Sequence, residues 1–113
     1  MKRNFHLTQT RDFNRVKKDG KSRHHKFVVI GFIPNTLEYS RVAFVTSKAV
    51  GNAVTRNLVK RRMKACVANS WGSVKSGWDL VFYARTAGAK ASYNDLREAI
   101  TALLLKAGLI ITK

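Results

Sequence analysis

The sequence predicts an α+β fold, a small two-layer α/β sandwich in the order α-β-β(-β)-α-β-α. Three observations carry this. FVVI, RVAFV and WDLVFYA are runs rich in β-branched and aromatic residues, the composition of strands. The stretches after Gly51 and after Ser92 space their apolar residues at a helical period. With 113 residues and a hydrophobic fraction of 45%, the chain suits one compact domain around one core. No linker, repeat or low-complexity tract divides residues 1–113, so a single domain is expected.

The elements follow in order. Thr8 is placed to cap a first helix running to about residue 18, with Phe13 and Val16 on one face and Gly20 as the stop. Residues 21–25 read as a short extra strand. Residues 26–33, KFVVIGFI, form a longer one, ended by Pro34-Asn35. Residues 41–47, RVAFVTS, form the next. Gly51 breaks the chain, and Asn52 is a good N-cap for a long helix to about residue 70. Residues 78–84 are another strand. Ser92 and Asp95 resemble a capping box, with Asp in place of the usual Glu. Leu96, Ile100, Leu103, Leu104 and Ala107 then keep helical spacing up to Gly108.

Alternation divides the strands into faces. Val42, Phe44 and Thr46 point one way, and Ala43, Val45 and Ser47 the other. The bulkier set is assigned to the core beneath the long helices. The smaller set is expected to line an open groove, with Val28, Ile30 and Phe32 beside it and Phe13 of the first helix as one wall.

Charge dominates the composition. Lys and Arg number 22 and Asp and Glu 6, a net charge of +16. So lopsided a balance repels itself in a small fold, and a polyanion removes the cost. Nucleic acid is the obvious one, because neutralised phosphates release condensed counterions. A membrane partner is not expected, since no basic amphipathic segment with a wide apolar face and no lipidation motif stands out. The start, MKRNFHLTQTRDF, lacks the apolar stretch of a signal peptide, and no apolar run is long enough to span a bilayer. The single cysteine, Cys66, has no partner for an internal disulfide. A cytoplasmic protein is the expectation.

Residues 46–64, TSKAVGNAVTRNLVKRRMK, contain six cations and no acid. On a helical wheel Val59, Met63, Cys66 and Val67 form an apolar stripe. Arg56, Lys60 and Lys64 form an i, i+4 row beside it, Asn57 and Arg61 the next row, and Arg62 lies on the other flank. A row of cations repels itself unless phosphates lie along it, and a solvated face would ordinarily mix signs. Arg adds planar donor forks suited to phosphate. The helix N-terminus adds backbone N–H groups.

Here the chain resembles a family. VGNAVTRNLVKRR looks like the signature of the bacterial ribonuclease P protein: Ser-Lys and a Gly-Asn-Ala turn, then an Arg-Asn-Arg core and a basic helix. Ser47, Lys48, Gly51, Asn52, Ala53, Arg56, Asn57, Lys60, Arg61 and Arg62 match it. The early Asp12-Phe13, the long strands and the capped last helix keep the family's order. Three positions depart: Leu58 replaces the second Arg of the core, Lys17 stands where relatives often carry a second aromatic, and Ile30 replaces a strand aromatic.

The resemblance implies a fold like ribosomal protein S5 domain 2, with a left-handed βαβ crossover, against the general rule. It implies a protein subunit that binds the catalytic RNA through Lys48, Asn52, Arg56, Asn57, Lys60, Arg61, Arg62 and Lys64. It implies a cleft for the 5′ leader of precursor tRNA, for which Phe13, Lys17, Val28, Ile30, Val45 and Ser47 are the candidates. The chemistry, metal-dependent removal of that leader, would belong to the RNA, with Mg2+ bound through it.

The residues point the same way. Metal-assisted hydrolysis by a protein needs clustered carboxylates, and Asp12, Asp19, Glu38, Asp79, Asp95 and Glu98 are scattered. His24 and His25 are adjacent and diverge on an extended segment, and His6 stands alone. Cys66 sits on an apolar stripe, and Trp71 and Trp78 read as packing residues. No catalytic residue, metal ligand or protein-bound cofactor is therefore expected. The rivals are another basic RNA-binding module, an independent nuclease and a DNA-binding protein. DNA is not the expected partner, because strands flank the basic helix where a helix-turn-helix would have a helix.

Overall fold

The computed structural model describes residues 5–110. The expected single domain, 1–113, extends into residues 1–4 and 111–113, which lie outside the described residues. The elements are α1 (Thr10–Asp19), β1 (Lys21–His24), β2 (Val28–Pro34), β3 (Arg41–Val45), α2 (Ala53–Ser70), β4 (Trp78–Ala84) and α3 (Tyr93–Lys106). The short extra strand is present as β1. The sheet order is β1-β2-β4-β3. β2 is antiparallel to both β1 and β4, and β3 runs parallel to β4. The crossover through α2 joins the two parallel neighbours.

Local chemistry sets most boundaries. Asn52 caps α2, its Oδ1 accepting the Thr55 N–H at 2.9 Å. Gly51 makes the turn before it with φ +153, a conformation that favours glycine. Ser92 and Asp95 form a reciprocal capping box on α3, at 3.0 and 3.1 Å. Some boundaries differ from expectation: β2 begins at Val28 and not at residue 26, β3 ends at Val45 and not at residue 47, and the start of α1 is shifted. Thr8 is two residues outside α1. Gln9 holds the cap position, and only its backbone carbonyl takes part, accepting from Asp12 and Phe13.

The sheet has two unlike faces. α2 and α3 cover one, over a core of Val28, Ile30, Phe32, Val42, Phe44, Leu80 and Phe82 with Val59, Met63, Leu96, Ile100 and Leu103. Phe82 is fully buried at its centre, a burial that contributes about 1.5–3 kcal/mol. α1 covers part of the other face, over Ala43, Val81 and its own Val16. The expected division of β3 holds: Val42 and Phe44 face the core, Ala43 and Val45 face α1.

The division expected for β2 does not hold. Ile30 pairs with Phe82, and Phe82 pairs with Phe44. Directly paired residues share a face, so Val28, Ile30 and Phe32 lie in the core with Phe44. The residues of β2 on the α1 face are Val29, Gly31 and Ile33. A shift of one residue in the assumed phase reverses every side chain of a strand.

One polar cluster pins α1 to the sheet. Asp79 of β4 is fully buried. Arg41 of β3 grips its carboxylate with two bonds, Nε to Oδ1 at 3.0 Å and Nη2 to Oδ2 at 2.8 Å. Arg15 of α1 donates to Oδ2 at 2.7 Å, and Asn35, after β2, to Oδ1 at 2.9 Å. Burial alone would raise the Asp79 carboxyl. The bonds from Arg41 and Asn35 and the charges of Arg41 and Arg15 outweigh it and hold the group below the usual carboxylate range. The bond to Asp79 in turn raises Arg41 above its ordinary value, against its partial desolvation.

Because its folded carboxyl titrates below the unfolded one, Asp79 contributes stability above the unfolded pKa, near 3.9. That contribution is lost as pH falls through the lower folded value. Arg41→Met keeps the apolar stem and strips the main counter-charge. It is expected to cost about 3 kcal/mol at neutral pH, the low end for leaving a buried charge short of a partner, because Arg15 remains. Urea unfolding across pH measures this. The deficit should narrow in acid, where a protonated Asp79 needs no cation.

Candidate nucleic-acid interface

Two basic surfaces meet in this fold. The first is the outer side of α2. Its apolar stripe, Val59, Met63, Cys66 and Val67, is buried as expected. Asn57, Lys60, Arg61 and Lys64 are exposed and, with Val54, line a shallow depression of about 480 Å³. Arg56 borders this face half-buried, and its Nε is buried with no hydrogen-bond partner among the described residues. An orphaned buried donor is costly in a folded protein, so an incoming oxygen acceptor would be favoured there. Lys48 and Ser47 are exposed on the loop before α2.

Two residues of the expected set have structural partners. Asn52 spends its Oδ1 on the helix cap. Arg62 lies away from the ridge, half-buried, and donates from Nη1 to the Ala91 carbonyl at 3.1 Å. It ties α2 to the segment before α3. Leu58, the departure in the Arg-Asn-Arg core, is 37% exposed.

The second surface is the groove between α1, β3 and α2. A depression of about 400 Å³ opens here, lined by His6, Leu7, Phe13, Ala43, Lys60 and Lys64 among others. Lys60 and Lys64 line both depressions, so the helix ridge and the groove are one continuous basic surface. Burial and the neighbouring Lys64 hold the His6 imidazole below its ordinary value, which leaves the positive charge in this groove to the lysines.

Around α1, at about 100° per residue, Val16 points at the sheet, Phe13 and Lys17 lie on one flank, and Asp12 and Arg15 on the other. The Arg15 flank is tied to Asp79. The Phe13 flank therefore faces the opposite end of the sheet, where Val45, Tyr83 and Val29 pair across three strands. Phe13 packs in the same small cluster as Val45 and Tyr83. Gly31 lets α1 come this close: a Cβ there would stand 3.1 Å from Val16 Cγ1 and 3.5 Å from Tyr83 Cε2.

Of the residues expected in the groove, Phe13 and Val45 thus pack in one cluster, Lys17 is exposed on the Phe13 flank of α1, and Ser47 is exposed two residues beyond Val45. Val28 and Ile30 do not border the groove. They are fully buried on the far face of the sheet, and the strand phase that misplaced them also hid Val29. Tyr83 has a buried hydroxyl with no partner among the described residues, and burial pushes its phenol up. The strand run WDLVFYA contains Tyr83, but only the pairing with Val45 assigns it to this face.

Other candidates resolve as packing. Cys66 is buried, and burial raises its thiol. Trp71 and Trp78 pack against the main core. Among the described residues no three His, Cys, Asp or Glu side chains come together as a metal site. Asp12 and Asp79 face Arg41, and Asp95 is in its capping box.

Comparison with known proteins matches this arrangement to one family. A family model described as Ribonuclease P matches residues 1–108. The ribonuclease P protein component of Alkaliphilus metalliredigens is 37% identical over 110 residues, 97% of this chain and 99% of that protein. The one from Clostridioides difficile is 39% identical over 106 residues, 93% of each. Among solved structures, the ribonuclease P protein of Thermotoga maritima superposes with a TM-score of 0.81 at 28% identity, over 89% of this chain and 96% of that one. That of Staphylococcus aureus gives 0.88 at 22% identity, over 95% and 98%, a likeness of fold.

The cap that presents the start of the ridge can be tested alone. Asn52→Ala removes one acceptor from the first turn of α2 and is expected to cost about 1 kcal/mol. Amide exchange at Thr55 and Arg56 should quicken more than at Met63. Equal protection at all three would show that Asn52 does not hold the helix start.

Proposed function

The chain belongs to the bacterial ribonuclease P protein family, the protein component of the holoenzyme that matures tRNA 5′ ends, and we propose how its surfaces divide that work. The α2 face of Lys48, Asn57, Lys60, Arg61 and Lys64, with Arg56 at its border, docks on the catalytic RNA. The groove beside α1 receives the single-stranded 5′ leader of precursor tRNA, with Phe13, Lys17 and Val45 joined by Val29 and Tyr83, and Ser47 at its mouth. Residues 1–113 act as one RNA-binding domain in the cytoplasm. The observation that carries this reading is the sharing of Lys60 and Lys64 between the two basic depressions. One continuous cationic surface can hold a catalytic RNA and a substrate strand side by side.

The division of labour follows from the side chains available. Lys and Arg on α2 neutralise phosphates without reading sequence, so affinity falls with salt. An aromatic ring stacks on a base of any identity, as a leader of variable sequence requires. Lys17, one turn beyond Phe13, pairs with a leader phosphate where relatives often place a second ring. Asn52 and Arg62 hold the scaffold of the docking face. The described carboxylates do not suit a metal ion, being paired with arginines, used in a cap or dispersed. In this reading Mg2+ is held by the RNA. The protein binds, orients and adds positive charge, and the bond is cut in the RNA.

Reconstitution with the cognate catalytic RNA tests the docking face. Arg56→Ala with Lys60→Ala should weaken assembly and flatten its salt dependence, by about 0.7–0.9 in slope for each phosphate that the pair neutralises. Unchanged assembly by the folded variant would remove α2 from the interface. Protein free of RNA should leave precursor tRNA intact.

The groove is tested by Phe13→Leu, which keeps apolar bulk and removes the stacking face. Holoenzyme affinity for a precursor with a leader of several nucleotides should fall by about 1–3 kcal/mol. Affinity for a precursor with a single-nucleotide leader should hold. Equal losses on both substrates would make Phe13 a packing residue only.

A further inference from the structure

The sheet has an open corner away from both basic surfaces. On β1, Lys21 pairs with Phe32 and Arg23 with Ile30, and at the end of β2 Pro34 pairs with Trp78. Paired residues share a face, so Lys21, Arg23, Phe32 and Trp78 all lie on the side that α2 and α3 cover. Helix α3 leaves this corner uncovered. It ends at Lys106, and Gly108, at φ +70, turns the chain so that Leu109 enters the core. A depression of about 270 Å³ remains, lined by Asp19, Lys21, Arg23, Phe32, Trp78 and Ala107 among others. It shares no residue with the depressions on α2 and beside Phe13.

Its wall is aromatic and its rim is charged. The rings of Phe32 and Trp78 stand 6.0 Å apart with their planes tilted by 57°. The Arg23 guanidinium lies 5.7 Å from the centre of the Phe32 ring. Three flat π surfaces therefore gather at one corner. Asp19, Lys21 and Arg23 are exposed at the rim. Among the described residues the ion pairs engage only Asp12, Arg15, Arg41 and Asp79, so the two cations and the carboxylate of the rim keep their charge for a partner. Arg23 donates to the Ser22 carbonyl beside it, at 2.7 Å, a bond that uses one of its five N–H groups.

We propose that this corner is a nucleotide site, taking one unstacked base against Phe32 and Trp78 with its phosphate on Lys21 and Arg23. An aromatic wall accepts the face of any base. Arg23 offers a plane for stacking and a donor fork for phosphate in the same group. Asp19 accepts from the amino or ring N–H groups of a base edge and repels a bare anion. The volume is just under the roughly 300–1,000 Å³ that encloses drug-sized ligands, room for a base and too little for a folded partner. An apolar ligand would leave the three charges without partners, and an acidic peptide would leave the rings idle. The nucleotide is free in solution or extruded from an RNA of the holoenzyme, and the recognition chemistry is the same for both.

NMR of the whole chain reads the site directly. The protein has two tryptophans, so the indole N–H signals of Trp71 and Trp78 are followed without any variant. Guanosine monophosphate should shift the Trp78 indole and the Lys21 and Arg23 amides saturably. Inorganic phosphate at the same ionic strength should leave the indole in place. Arg23→Gln should weaken the nucleotide several-fold. Arg23 is exposed and bonds to adjacent backbone, so the fold does not rest on it.

Reconstituted holoenzyme separates the two sources. Weaker assembly or precursor binding with Arg23→Gln, in a holoenzyme that no longer takes up the mononucleotide, makes the occupant an RNA base. Unchanged assembly, in a holoenzyme that still takes it up, makes the occupant a free nucleotide. Either result supports the site. A Trp78 indole unmoved by millimolar nucleotide overturns it. So does an equal shift with inorganic phosphate, which leaves an adventitious anion contact only, or a titration that Arg23→Gln does not change. Shifts confined to Phe13 and Tyr83 put the nucleotide in the groove and overturn the corner site as well.

Discussion

The buried carboxylate of Asp79 is the constraint on which the working surface depends. It is fully enclosed, and no single cation satisfies it. Arg41 supplies a fork from β3, Arg15 reaches across from α1, and Asn35 closes the third side from the loop after β2. These partners come from three separate parts of the chain, so the carboxylate can be desolvated only when all three are in place. Packing of Val16 over Gly31 sets the height of α1 above the sheet. The ion cluster sets its direction, because it ties down one flank. The other flank, with Phe13 and Lys17, is left facing open sheet.

That asymmetry turns a covered sheet into a groove. A helix apolar on both flanks would lie flat on the strands and close the face. α1 instead uses Asp12 and Arg15 on one side to meet buried charge and keeps an aromatic ring on the other. The sheet below matches this division. Its far face carries the main core on β2, β3 and β4, and its near face carries smaller or half-buried residues: Ala43, Gly31, Val29 and Tyr83. The same strands thus build the core on one face and the floor of the groove on the other, through alternation alone.

Helix α2 is divided in the same way around its axis. Val59, Met63, Cys66 and Val67 enter the core, and Lys60, Arg61 and Lys64 face outward. With a net charge of +16, few of these cations can find acids. Among the described residues the ion pairs are spent on Asp12 and Asp79. The remaining charge is a long-range field that attracts polyanions and weakens with salt. Lys60 and Lys64 carry that charge from the α2 ridge into the depression beside Phe13.

The sequence by itself determined the element order, because caps, breakers and periodicity are local. Asn52, Ser92 with Asp95, and the run WDLVFYA carry their own boundaries. It also determined the basic ridge, since an i, i+4 row is set by the geometry of one helix, and the net charge that calls for nucleic acid. The start of α1 was less legible, because Gln9 caps with its backbone and leaves no side-chain mark. Tertiary structure alone decided which face of β2 meets α1. Val28, Ile30 and Phe32 and their neighbours Val29 and Ile33 are all apolar, so alternation within the strand has two equivalent phases. Only pairing with β4, where Ile30 lies beside Phe82, chooses between them. The role of Asp79 was hidden for a related reason. Its partners stand 38, 44 and 64 residues away, and an interaction at that distance along the chain leaves no local pattern. What a segment does with its own backbone can be read from it, and what two distant segments do with each other cannot.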